Sequence, residues 1–231
     1  MTTGLIRSIL IGVSASVLAI VLHELAHGFT ALAMGDHTAQ RAGRLSPNPL
    51  CHVDRFGTVI LPLILIAAQL LTIGRIGFMF GWAKPVPIDP SGFPNPRRGM
   101  AIVAAAGPAA NFVLALVAAF LLAALGTHGI VADFLFYFLL FNVVLGLFNL
   151  VPLPPFDGGR IAVGILPLRA ARALAQVERL GILVILLVVF ILPAALGQFG
   201  IHFNPVGDVL DLWVPRVATF FLHLAGVHGG Y

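Results

Sequence analysis

The chain has 231 residues, of which 59% are hydrophobic and only 10% charged, with a mean hydropathy of +1.03. Soluble domains run at about 45–50% apolar and about 25% charged, so this composition excludes a water-soluble globule and predicts an integral membrane protein. The net charge of +4 comes from arginines placed beside apolar runs, as the positive-inside rule expects, and it predicts no nucleic-acid partner.

Segment A, residues 5–33, is long enough to span a bilayer and holds one charge, Arg7, before its final turns. It is too long for a signal-peptide core, and cleavage after it would remove the chain's most informative motif. Gly35 and Asp36 end it. Residues 37–55, with Arg41, Arg44, Arg55, Pro47 and Pro49, read as a loop or short extended strands. Cys51 is the only cysteine, so no intrachain disulfide forms.

Segment B, residues 56–73, is apolar but contains Pro62 and Gln69. The stretch after it carries Pro85, Pro87, Pro90, Pro94 and Pro96, which rule out a regular helix. The two are expected to form a re-entrant unit, entering as a helix and returning as extended chain, which membrane depth tolerates only under cover of protein or beside a water-filled cavity.

Segment C, residues 97–125, opens on two arginines and contains Gly107-Pro108-Ala109-Ala110-Asn111, small residues suited to close helix packing. Segment D covers 130–150 and ends where Pro152, Pro154 and Pro155 break the chain ahead of Asp157-Gly158-Gly159. Residues 169–179 read as a basic surface helix, residues 180–196 as segment E, and residues 206–225 as a weaker span interrupted by Asp208, Asp211 and Arg216. The expected fold class is therefore an all-α polytopic membrane protein of about five to six hydrophobic segments, with the re-entrant unit before the third. Arg41, Arg44, Arg55, Arg97, Arg98, Arg160, Arg169, Arg172 and Arg179 fall on one side if B is re-entrant. That side is expected to be cytoplasmic, with segments A and D parallel.

The chemistry-bearing motif lies in segment A, as His23-Glu24-Leu25-Ala26-His27. Residues four apart share a helix face, so the two imidazoles can reach one metal ion while Glu24 reaches water bound to it. This is the H-E-x-x-H arrangement of zinc peptidases. Ionisable residues inside a span are costly and mark function. Catalytic zinc takes three protein ligands and keeps an open position. Asp157, an acid lodged in a broken apolar segment, is the candidate for the third; read alone, it is equally a turn residue paired with Arg160. Asn149 is a candidate oxyanion donor, or a cap or interhelical hydrogen-bonder. Asn111 and Gly107-Pro108 read as packing features.

These three motifs, in this order, resemble the site-2 protease family of intramembrane zinc metalloproteases. The resemblance runs from Val21 to Arg160 and is closest to compact prokaryotic members lacking PDZ or CBS modules. It implies one zinc ion per chain, bound by His23, His27 and Asp157, with Glu24 as catalytic base and Asn149 at the substrate or oxyanion. It also implies a single-span transmembrane substrate in the lipid bilayer of the cell membrane, unwound along residues 81–88 and cut toward the cytoplasmic side. The whole chain, 1–231, would be a single protease domain, with a core at 5–168 and accessory segments at 169–231. The competing readings are a membrane zinc carrier or sensor and a catalytically silent scaffold. Polar groups clustered at one depth disfavour the first, and the presence of both Glu24 and Asp157 disfavours the second.

Overall fold

The computed structural model describes residues 2–73, 81–178, 181, 183 and 186–227. Its described secondary structure is helical throughout. Helix α1 (Thr2–Ala33) is followed by the short α2 (Thr38–Arg41), a π-helical turn (Arg55–Ile60) and α3 (Leu61–Ile73). Then come α4 (Pro96–Leu125), α5 (Ile130–Asn149), α6 (Asp157–Ile165) and α7 (Leu168–Glu178). Two C-terminal helices follow, α8 (Leu192–Gly197) and α9 (Pro205–Leu224).

Among the described residues, three helices are long and apolar enough to cross a membrane: α1, α4 and α5. Their ends follow local chemistry. Gly35 takes φ +100 after α1, and the Asp36 amide reaches back to the Ala31 carbonyl at 2.9 Å, a glycine-terminated helix end. Asn95 caps α4 by accepting from the Arg98 amide at 3.1 Å, and Pro96 occupies the first turn, where its missing N–H costs nothing.

The three spans meet along small residues. Ala15 and Ala19 of α1 face Ala115, Ala118 and Ala119 of α4, with Leu135, Leu139 and Val143 of α5 completing the core. Alanine lets helix backbones approach where lipid offers no hydrophobic drive to associate. Leu10, Val13, Val113 and Phe120 point outward and are exposed, as a lipid-facing surface requires. Arg7, near the start of α1, pairs with Asp133, near the start of α5. Helices α1 and α5 thus begin at the same end of the bundle and pack directly on each other, and α4, in contact with both, runs in the opposite sense.

The remaining segments differ in detail. Residues 37–55 hold α2 and a 3-10 turn (Pro49–His52) rather than strands. Helix α3 has 13 residues and rises about 20 Å, short of the roughly 30 Å hydrocarbon core. The tip of the expected re-entrant unit, 74–80, lies outside the described residues. Residues 81–89 follow it without regular secondary structure, and among the described residues they are held by scattered groups. Trp82 N donates to Gly57 O at 3.2 Å and Lys84 N to His52 O at 2.8 Å, while Arg44 donates to the carbonyls of Lys84 and Pro85. The Asp89 amide donates to Asp36 at 2.8 Å. The surface helix expected at 169–179 appears as α7. Segment E falls partly outside the described residues, which retain a π-helical piece (Leu186–Ile191) and α8. The weaker candidate, 206–225, becomes α9, which rests Ala218 on the core but, with Asp208, Asp211 and Arg216 in it, is not among the three helices apolar enough to cross.

Candidate metal centre

The last turns of α1 carry His23, Glu24 and His27, and the first residue of α6 is Asp157. Helix α4 passes behind the histidines. At Gly107 a methyl group would lie 2.5 Å from His23 Cε1 and 2.5 Å from His27 Cε1, so only a glycine there admits both rings. Glycine serves Asp157 by close backbone approach. Neither Gly158 nor Gly159 has positive φ. Instead, a Cβ on Gly158 would run into the Leu150 carbonyl, and one on Gly159 into the backbone at Leu153–Pro154. The glycine pair lets α6 start hard against the proline-broken loop, whose Phe156 ring packs on Phe148 of α5 at 4.5 Å.

This packing brings together three buried groups from distant parts of the sequence. Asp157 Oδ2 lies 3.2 Å from His23 Nε2 and 3.3 Å from His27 Nε2, and the two Nε2 atoms are 3.0 Å apart. Both rings are held from behind. His27 Nδ1 donates to the Val103 carbonyl at 2.8 Å, and His23 Nδ1 to Asn111 Oδ1 at 2.6 Å. A proton on each Nδ1 leaves each Nε2 with a lone pair. Two imidazole lone pairs and a carboxylate oxygen thus converge with no donor between them, and Asp157 Oδ2 is buried without a hydrogen-bond partner. Such an arrangement suits a cation. Ligand atoms of these three residues lie within 4.8 Å of one another, and two imidazoles with one carboxylate is a donor set that zinc takes in catalytic sites. The residues present fit the ion.

The cluster forms one wall of a cavity of about 560 Å³, with the segment 81–88 on another side. Glu24 and Asn149 also line it. Glu24 Oε2 accepts from the Val86 amide at 2.9 Å. Asn149 Nδ2 donates to the Leu145 carbonyl at 3.0 Å, one turn back on α5.

A family model described as peptidase family M50 matches residues 123–192, a stretch that includes Asn149 and Asp157. The chain is 37% identical over 192 residues to "Putative zinc metalloprotease YwhC" of Bacillus subtilis, covering 79% of this chain and 80% of that protein. The chain belongs to peptidase family M50, the site-2 protease family. It is also 31% identical to "Putative zinc metalloprotease Rip2" of Mycolicibacterium smegmatis, over 91% of this chain and 72% of that protein. No solved structure is significantly similar to it. As a member of this family the protein is a multi-pass membrane zinc metalloprotease.

Sequence reasoning missed Asn111, which it took for a packing residue, and gave no role to Asn142. Both are fully buried, and Asn111 touches His23 directly. The available signal was an uncharged amide in the middle of each of two otherwise apolar spans.

Proposed function

We propose that the protein hydrolyses peptide bonds of single-span transmembrane proteins within or near the cell membrane, at a site toward the cytoplasmic side. In this reading His23, His27 and Asp157 hold one zinc ion per chain, Glu24 is the general base, and residues 1–231 act as one protease domain. The observation that carries the reading is the convergence of three metal-ligating atoms beside a carboxylate in a cavity at the end of a long apolar helix. When bound there, zinc polarises the scissile carbonyl and acidifies water.

The chain's own groups supply the rest. Glu24 takes a proton from the attacking water and passes it to the leaving amine. The Val86 amide steadies one oxygen of that carboxylate. Asn149 spends one amide hydrogen on Leu145 and keeps a second, which can meet the carbonyl oxygen as charge develops on it. The substrate helix unwinds to expose its peptide carbonyls and lies along 81–88 as an added strand. The amides of Trp82, Lys84 and Val86 are engaged with the protein, and alternation along an extended chain turns the Ala83 peptide groups the other way.

The test uses purified protein in detergent with a labelled single-span substrate. Cleavage is expected to stop on chelation and to return with zinc, and Glu24→Gln should lose cleavage while retaining its zinc. Cleavage by the Glu24→Gln protein would overturn the assignment.

A further inference from the structure

Asn111 itself has a buried partner. Its Nδ2 donates to Asn142 Oδ1 at 2.8 Å, and Asn142 Nδ2 donates to the Phe138 carbonyl at 2.8 Å. Asn111 and Asn142 are both 0% exposed, so bulk water does not reach either amide. We infer that Asn142 is a positioning residue for the metal centre: it fixes the sense of the Asn111 amide, and through it the tautomer and ring plane of His23. This rests on the proposed zinc assignment.

The direction of the chain is set at its far end. A backbone carbonyl can only accept, so Asn142 must turn its NH₂ toward Phe138 and its oxygen toward Asn111. Asn111 must then give its NH₂ to Asn142 and present its oxygen to His23. An oxygen there demands a proton on His23 Nδ1 and leaves Nε2 free to bind metal. Without Asn142 the Asn111 amide is free to turn over. Its NH₂ then faces Nδ1, the ring proton moves to Nε2, and the metal-binding lone pair is gone. His27 needs no such relay, because the Val103 carbonyl imposes the same tautomer in a single step.

The experiment measures zinc affinity of full-length protein in detergent by competition with a chromogenic chelator, beside cleavage of the single-span substrate. Asn142→Leu keeps the volume and removes the acceptor, and its zinc affinity is expected to fall by about 10–100-fold, the range for lost outer partners of metal ligands. Asn142→Asp, whose protonated carboxyl offers an acceptor and a donor in the same places, is expected to keep its affinity within about threefold of the original. A purely packing role predicts the reverse order, since leucine suits an apolar core better than a carboxyl. Asn111→Leu combined with Asn142→Leu should bind no more weakly than Asn111→Leu alone, because the second residue acts only through the first. Should Asn142→Leu fail to fold, Asn142→Ser, too short to reach Asn111, replaces it with the same expected loss. Wild-type affinity in Asn142→Leu, the packing order of the two variants, or multiplying losses in the double variant would overturn the relay. Wild-type protein that takes up no zinc, or takes it up and cuts nothing, would instead overturn the protease reading beneath it.

Discussion

Glu24 on α1 accepts a hydrogen bond from the main-chain amide of Val86, a residue 62 positions along the chain. The carboxylate proposed as base is therefore tied to the segment proposed to receive substrate. Glu24→Asp draws the carboxylate back by one methylene, about 1.5 Å, and takes it out of reach of Val86. Misplacement on this scale costs about a hundredfold in rate. The expected result is a kcat lowered by about that factor, with zinc content unchanged by atomic absorption.

Gly107→Ala tests the slot behind the imidazoles. The added methyl lies 2.5 Å from carbons of both rings, so one ring or the helix must move. Overpacking of this kind costs about 1–3 kcal/mol. The variant is expected to melt earlier in detergent and to retain less zinc after dialysis against a chelator.

Gly158→Ala tests the other wall. Its Cβ meets main-chain atoms of Leu150 and Val151, which cannot rotate aside, so Asp157 is carried away from the histidines. Cleavage should be lost, and zinc retention should fall as in Gly107→Ala. Gly4→Ala, where a Cβ meets nothing within 4 Å, is the matching control and should leave both readouts unchanged.

Asp36 ties Asp89 to the end of α1. Its two oxygens accept from the amides of Thr38 and Asp89 at 2.8 Å each. Burial works against its ionisation, but the hydrogen bonds from Thr38 and Asp89, with His37 nearby, hold its carboxyl below the usual range. A carboxylate with a depressed folded pKa stabilises the protein above its unfolded value of about 3.9, and that stabilisation is lost as pH falls through the folded value. Asp36→Asn should lower stability at neutral pH by about 1–3 kcal/mol, and the gap should close in acid. Melting curves of both proteins from neutral pH down to acid check this.

The spans were legible because each is a long apolar run with a chemical stop. Segments A, C and D match α1, α4 and α5 to within three residues at each end. The H-E-x-x-H spacing was legible for a similar reason: it depends on one local helical turn. Less legible were the contacts that join distant positions. Nothing periodic links His23 to Asn111, His27 to Val103 or Glu24 to Val86, because those pairings follow from how helices cross and where an irregular arm lies. The tight fit at Gly158 and Gly159 belongs with these, since it depends on main chain several residues away. Both glycines serve close approach and need no unusual dihedral.

The division of the cluster between α1 and α6 also bears on biosynthesis. On the proposed assignment, a nascent chain emerging from the ribosome presents two imidazoles long before it presents the acid at position 157. Until α4 and α5 have been inserted, the growing polypeptide has an incomplete grip on metal and no hydrolytic power. On that assignment hydrolysis begins only once the residue at 157 has been translated and folded against α1.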